Sequence, residues 1–206
     1  MKLILLTLLT LFGFIFRVFG PETQTYNYAL DESKSVIEWS GASPNTSHQG
    51  SFAVTSPGIQ VENNIITGGI FVIPIASIKN FDLPKTIKPV LLKHLKSKDF
   101  FNLALYPEAS FALTQVAPLA QASAEGVAGA NMLVTGSFTL LGQTHPITFP
   151  ARIAVQDDAV AVEAIFKLDR TKWGMTYAAD PALKNRHIYP EVAIHLKLVA
   201  NRNEVN

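Results

Sequence analysis

Cysteine is absent from all 206 residues. That excludes disulfides, thiolate catalysis, cysteine-ligated zinc and lipidation at a cysteine. Charge is also scarce. Asp, Glu, Lys and Arg make up 16% of the chain and hydrophobic residues 48%, against about 25% charged residues in ordinary soluble domains. Such a balance calls for a large core, or for apolar surface held inside. The formal net charge is only +1, and removing the first twenty residues takes away Lys2, Arg17 and no acid, which turns it to −1. A near-neutral chain has no electrostatic footprint for nucleic acid, and no polybasic patch for anionic lipid is expected. Three further signals are missing: a Gly-x-Ser-x-Gly nucleophile elbow, a phosphate-cradling glycine loop and a histidine pair at zinc spacing. The expectation is a binding protein rather than an enzyme, with no catalytic residue and no metal.

The N-terminus reads as an address. Met1-Lys2 is a minimal positive start, and residues 3–16 are apolar apart from Thr7, Thr10 and Gly13. That run falls short of the about 20 residues a bilayer span needs and suits a signal peptide. Gly20 before Pro21 offers a cleavage point, which gives a leader over 1–20 and a mature domain over 21–206. Arg17, close to that point, leaves a retained anchor as the alternative. Export implies a periplasmic or secreted protein.

Most of the mature chain alternates with period two, the mark of half-buried strands. Ile37 and Trp39 share a face, as do Phe52 and Val54, and Phe111 and Leu113. The same holds for Met132 to Leu140, Ile147 to Val155, Val160 to Leu168 and Val192 to Leu198, taken every second residue. Asn63-Asn64, Leu141-Gly142 and Asp157-Asp158 suit tight hairpins. The Ala-rich stretch 117–129 reads as a long mobile loop. Residues 89–97 break the alternation: Val90, Leu91, Leu92 and Leu95 recur at helical spacing, Pro89 suits a first turn and lysines gather toward the C-terminal end. The spacing predicts one short helix across an end of an antiparallel all-β domain. Strands with one apolar face must close or sandwich, and alternation alone leaves both open.

Four stretches carry a resemblance. They are Ser47-His48-Gln49-Gly50-Ser51-Phe52; His94-Leu95-Lys96-Ser97-Lys98-Asp99-Phe100-Phe101 followed by Tyr106-Pro107; the hairpin Val134 to Ile147 with Gly136 and Gly142; and Asp169-Arg170-Thr171-Lys172-Trp173-Gly174. In order and together they resemble the YceI-like family of exported lipid-binding barrels. The resemblance implies a lipocalin-like antiparallel β-barrel with an elongated apolar tunnel. It also implies a long apolar lipid as partner, a polyisoprenoid or isoprenoid quinone, carried or stored outside the cytoplasm. No other cofactor is implied. A membrane enters only as lipid donor or acceptor, and free strand edges or the helix leave room for a homodimer.

The inward set then names the candidate ligand-binding residues: Ile37, Trp39, Phe52, Phe111, Phe138, Leu140, Phe149, Phe166 and Leu196, with Leu91, Leu92 and Leu95 as a lid and Phe100 and Phe101 beneath it. The alternative is a barrel filled by these same side chains, serving as a stress-related or surface interaction protein. A third reading is an enzyme acting on a bound lipid through His48, His94 or Asp169. His48 and His94 could meet at a barrel end, with a hydrogen bond favoured over metal ligation. His145 and His195 are expected on polar faces or turns, and Asp169-Arg170 is expected to fix a turn.

Overall fold

The computed structural model describes residues 25–120 and 126–203. The elements are β1 (Thr25–Leu30), β2 (Val36–Ala42), β3 (Ser47–Phe52), β4 (Ile59–Glu62), β5 (Ile65–Pro74), β6 (Lys79–Asn80), α1 (Lys88–Leu95), β7 (Glu108–Pro118), β8 (Met132–Leu140), β9 (Gln143–Val155), β10 (Ala159–Asp169) and β11 (Glu191–Arg202). All strand pairs are antiparallel, in the order β1-β4-β5-β7-β8-β9-β10-β11, and β11 returns to β1. Eight strands thus close a ring. Closure satisfies the edges and hides the apolar face that the alternation announced.

The two ends of this ring are closed by different strands. Residues 200–202 of β11 pair with β1, and β4 continues the wall to β5. Residues 192–197 of β11 pair instead with β2, which pairs with β3. Thr55, just beyond β3, bridges to Val72 of β5. The pair β2 and β3 therefore takes over at one end the place that β1 and β4 hold at the other.

Turn chemistry fixes the register. Asn63 and Asn64 have φ of 50° and 62°, and Leu141 and Gly142 have φ of 50° and 72°. Two successive left-handed residues make the turn whose twist matches paired strands. Asp157 and Asp158 join β9 to β10, where the Gln156 N–H donates to the Ala159 carbonyl. Two bulges break the alternation. On β5 the pairing with β4 passes from Gly68 to Ile66 and skips Thr67. On β7 the pairing with β8 passes from Leu113 to Gln115 and skips Thr114. Each extra residue swaps the faces beyond it.

The wall also has a seam. β9 pairs with β8 over residues 143–151 but with β10 only over residues 152–155. Pro146 and Pro150 lie beyond that stretch and have no N–H to give a neighbour. Inside, the Phe149 and Phe166 rings stack across the seam at 4.3 Å. Trp173, almost fully buried, donates its indole N–H to the Phe138 carbonyl at 3.1 Å and packs edge-on against Phe138.

The helix begins one residue earlier than the spacing predicts, with Pro89 in its first turn. The Ala-rich stretch is partly strand: Ala117 and Pro118 end β7, paired with Leu133 and Met132. The extended ladder gives their backbone groups partners that a loop would lack. Residues 121–125 of that stretch lie outside the described residues. So do the expected leader over 1–20 and its cleavage point.

Candidate functional site

The ring encloses a cavity of about 500 Å³, within the roughly 300–1,000 Å³ range of small-ligand sites. Its lining follows from the alternation, because every second residue of each strand points inward. Val116, Val134, Ile153, Val162 and Leu198 line the far end, toward β1. Phe71, Phe111, Phe149, Phe166 and Leu196 line the middle. Ile37, Trp39, Phe52, Phe138, Leu140 and Ile194 line the end closed by β2 and β3. α1 lies over that end and contributes Leu91, His94 and Leu95, with Phe100 and Phe101 just after it.

Polar groups are confined to this second end, the mouth. Ser43, Thr46, His48, His94, Arg170, Asn185, Arg186 and Tyr189 all belong to it. Gly41 lines it too, and a Cβ built on Gly41 would meet nothing within 4 Å. On the strand, Gly41 has the same parity as Trp39 and Ile37, so a side chain there would enter the opening. Elsewhere a glycine serves packing: a Cβ on Gly136 would stand 2.2 Å from the Phe111 ring. The absence of a side chain lets that ring lie against the wall.

The mouth is held by hydrogen bonds to charged groups. Arg170 is 3% exposed. Its guanidinium donates to the carbonyls of Met175, Tyr177, Ile188 and Tyr189 and lies 5.8 Å from the Phe100 ring centre. Burial lowers its pKa, and the nearby Asp169 carboxylate partly restores it. Asp169 accepts from the Thr171 N–H and hydroxyl and so caps the turn that carries Trp173. The expected turn-fixing role holds for both residues, through backbone and hydroxyl contacts.

His48 and His94 both line the mouth, but each has its own carboxylate. His48 Nδ1 lies 2.7 Å from Asp82, and His94 Nε2 lies 3.2 Å from Asp99. Burial works against ionisation of Asp82, yet hydrogen bonds from the Gln49 N–H, His48 and Asn80 outweigh it and hold the carboxyl at about 2. His94 packs edge-on against Phe100 and Tyr177. His195 lies on the outer face as expected, between Glu38 and Glu163. Its hydrogen bond to Glu163 lowers that carboxyl's pKa, with Arg152 assisting against desolvation. His145 departs from its expected polar face. It shares the inward parity of Ile147, sits edge-on to Trp173 at 5.3 Å and keeps Nε2 buried. The β8–β9 turn closes at Gly142, so the inward phase of β9 already holds at residue 145. Among the described residues, no group of three His, Asp or Glu is placed to hold a metal ion.

Of the candidate ligand-binding residues, Ile37, Trp39, Phe52, Leu91, Leu95, Phe100, Phe101, Phe111, Phe138, Leu140, Phe149, Phe166 and Leu196 meet around this one cavity. Leu92 does not reach it and packs into the apolar cluster around Trp39 and Phe100. Ile66, Phe71 and Ile73 of β5, with Ile75 and Ile78 after it, also line the cavity and were not singled out from the sequence. Their signal was present but scrambled by the bulge at Thr67. Asn185 and Arg186 end a short, kinked 3-10 segment (Pro181–Arg186), where no sustained periodicity marks which side chain faces inward.

The YceI-like domain model matches residues 28–200. Protein YceI of Escherichia coli O17:K52:H18 is 39% identical over 66 residues, 32% of this chain and 30% of that protein. A UPF0312 protein of Enterobacter sp. is 38% identical over a segment of the same length. The matched segment thus spans less than a third of these curated relatives. The fold resembles BcnA of Burkholderia cenocepacia, with a TM-score of 0.63 at 19% identity over 82% of this chain and 98% of that one. It also resembles a polyisoprenoid binding domain from Saccharophagus degradans, with a TM-score of 0.60 at 16% identity over 85% and 98% of the two chains. With the family model matched from the first ring strand to the last, around a closed eight-stranded barrel with a short helix over one end, this chain belongs to the YceI-like family.

Proposed function

We propose that the protein binds one long apolar lipid, a polyisoprenoid or an isoprenoid quinone, inside the barrel and carries or stores it outside the cytoplasm. The observation that carries this reading is the cavity itself: apolar from its far end to the helix, with its polar groups gathered at the mouth. A hydrocarbon chain makes no hydrogen bonds along most of its length, so a dry apolar cavity suits it. A membrane lipid is already out of water. The free energy that matters is transfer from bilayer to barrel, which can lie near zero and still permit loading and release. Shape then sets selectivity more than polarity. The open space favours this reading over a filled core. Among the described residues no hydroxyl in the cavity lining is hydrogen-bonded to a histidine, which favours a binder over an enzyme. Removal of residues 1–20 would leave the domain 21–206 in the periplasm or medium.

Titration with polyprenols of increasing length tests the proposal, with displacement of an apolar fluorophore as the readout. The expected result is stoichiometric displacement that tightens with chain length and then levels once the cavity is full. Displacement independent of length, or none, would overturn it.

A further inference from the structure

The mouth carries an unexplained outer surface. Phe81 is 54% exposed, Ile87 52% and Val90 68%. Val90 stands on α1 beside Leu91 and His94, which line the cavity. Ile87 immediately precedes the helix. Phe81 adjoins Asp82, whose carboxylate grips His48 at the same opening. Tyr177, packed on His94, and Tyr189, in the cavity lining, are also exposed. Large exposed apolar side chains are unremarkable singly, but a group of them around one opening marks an interaction surface.

The charge around this group is one-sided. Residues 79–99 hold six lysines, two aspartates and no other charged residue, a formal +4 within a chain of +1. The whole-chain balance conceals this segment, which is why composition alone showed no basic patch. Both acids are engaged, Asp82 with His48 and Asp99 with His94. Lys96 donates to the Ala76 carbonyl. Lys79, Lys85, Lys88, Lys93 and Lys98 form no ion pair among the described residues.

We propose that this end docks on an anionic lipid bilayer, with the lysines attracted to the headgroups and Phe81, Ile87 and Val90 entering the interface. Exposed apolar side chains among unpaired lysines match a negatively charged surface with an apolar layer beneath it. The position fits as well, because a lipid passing between bilayer and cavity must cross this mouth. An acidic protein would answer the charge, but it does not explain why the exposed apolar side chains adjoin residues at the cavity mouth. The proposal rests on reading the cavity as a lipid site, and one experiment separates the two.

Sedimentation with vesicles of roughly one-third phosphatidylglycerol in phosphatidylcholine would be compared with sedimentation on pure phosphatidylcholine. Uptake of a pyrene-labelled polyprenol from neutral detergent micelles would be measured on the same samples. The expected result is binding to the anionic vesicles that falls about tenfold between about 20 and about 300 mM salt. The pair Lys85→Glu and Lys93→Glu should abolish it, and Val90→Asp should weaken it several-fold, with micellar polyprenol uptake unchanged in both variants. That unchanged uptake also shows that they fold. Equal binding to neutral vesicles, or full binding by the charge-reversed variant, would overturn the docking surface. Binding to soluble polyglutamate but not to vesicles would overturn it in favour of an acidic protein. Polyprenol uptake without docking sinks only this inference, whereas docking without uptake sinks the cavity reading.

Discussion

The two ends of the barrel are held shut by different physics. At the far end the backbone does the work: β1 joins β11 to β4, and buried Tyr28 sends its hydroxyl to the carbonyls of Gln156 and Asp157. Small and branched residues, Val160, Ala164 and Ala200, fill the space between. At the mouth β2 and β3 complete the wall, and the opening itself is covered by other means: a short helix, a buried guanidinium and two histidine–carboxylate pairs. A paired strand opens only by losing its ladder, whereas helix and loop contacts open in smaller steps. The comparison assigns stability to one end and access to the other.

The sharpest way to break this division is at Arg170. Arg170→Met leaves four carbonyl acceptors without their shared donor in a buried site, and the expected loss of stability is about 3 to 5 kcal/mol by urea denaturation. A loss below 1 kcal/mol would mean that water replaces the guanidinium there. Tyr28→Phe probes the other end. It removes one hydroxyl whose acceptors lie on a surface turn, so the expected cost is about 1 kcal/mol, with lipid uptake unaltered.

Asp82→Asn should have a smaller effect, and one that depends on pH. Asp82 titrates at about 2 in the folded protein, below the roughly 3.9 of an unfolded chain. The folded state therefore binds that proton less readily. The carboxylate contributes stability that is full above about pH 4 and lost as pH falls toward 2. The variant should be slightly less stable at neutral pH, and its acid unfolding curve should be flatter between pH 4 and 2. Parallel curves for the two proteins would show that the Asp82 hydrogen bonds do not survive in solution.

Much of the barrel was legible in the sequence, and the reasons differ by region. Strands with unbroken alternation, β2, β8, β9, β10 and β11, revealed their inward faces directly, because pleat and hydropathy share one period. Half of the candidate lining came from them: Ile37, Trp39, Phe138, Leu140, Phe149, Phe166 and Leu196. β5 was opaque for a stated cause: Thr67 shifts the phase between Ile66 and Phe71, so a window of fixed period averages the two faces. Thr114 does the same between Leu113 and Val116. Leu92 was misjudged because a helix of eight residues has too few turns to fix which apolar flank meets the barrel. His145 looked like a turn residue, but the tight Leu141-Gly142 turn left it already inside the strand. Loop residues at the mouth had no pattern to read.

Gly41→Trp should change stability least of all. The new ring enters open space at the mouth, away from the ladder that closes the far end, and the expected cost is within about 0.5 kcal/mol. It should nevertheless obstruct the cavity. Native mass spectrometry of the protein purified from its source organism, wild type beside Gly41→Trp, therefore tests the central claim most directly. The wild type should carry the mass of one long-chain lipid beyond its own polypeptide, and the variant should carry at most about a tenth as much. Bare polypeptide in the wild type, or equal loading of the two, would contradict it.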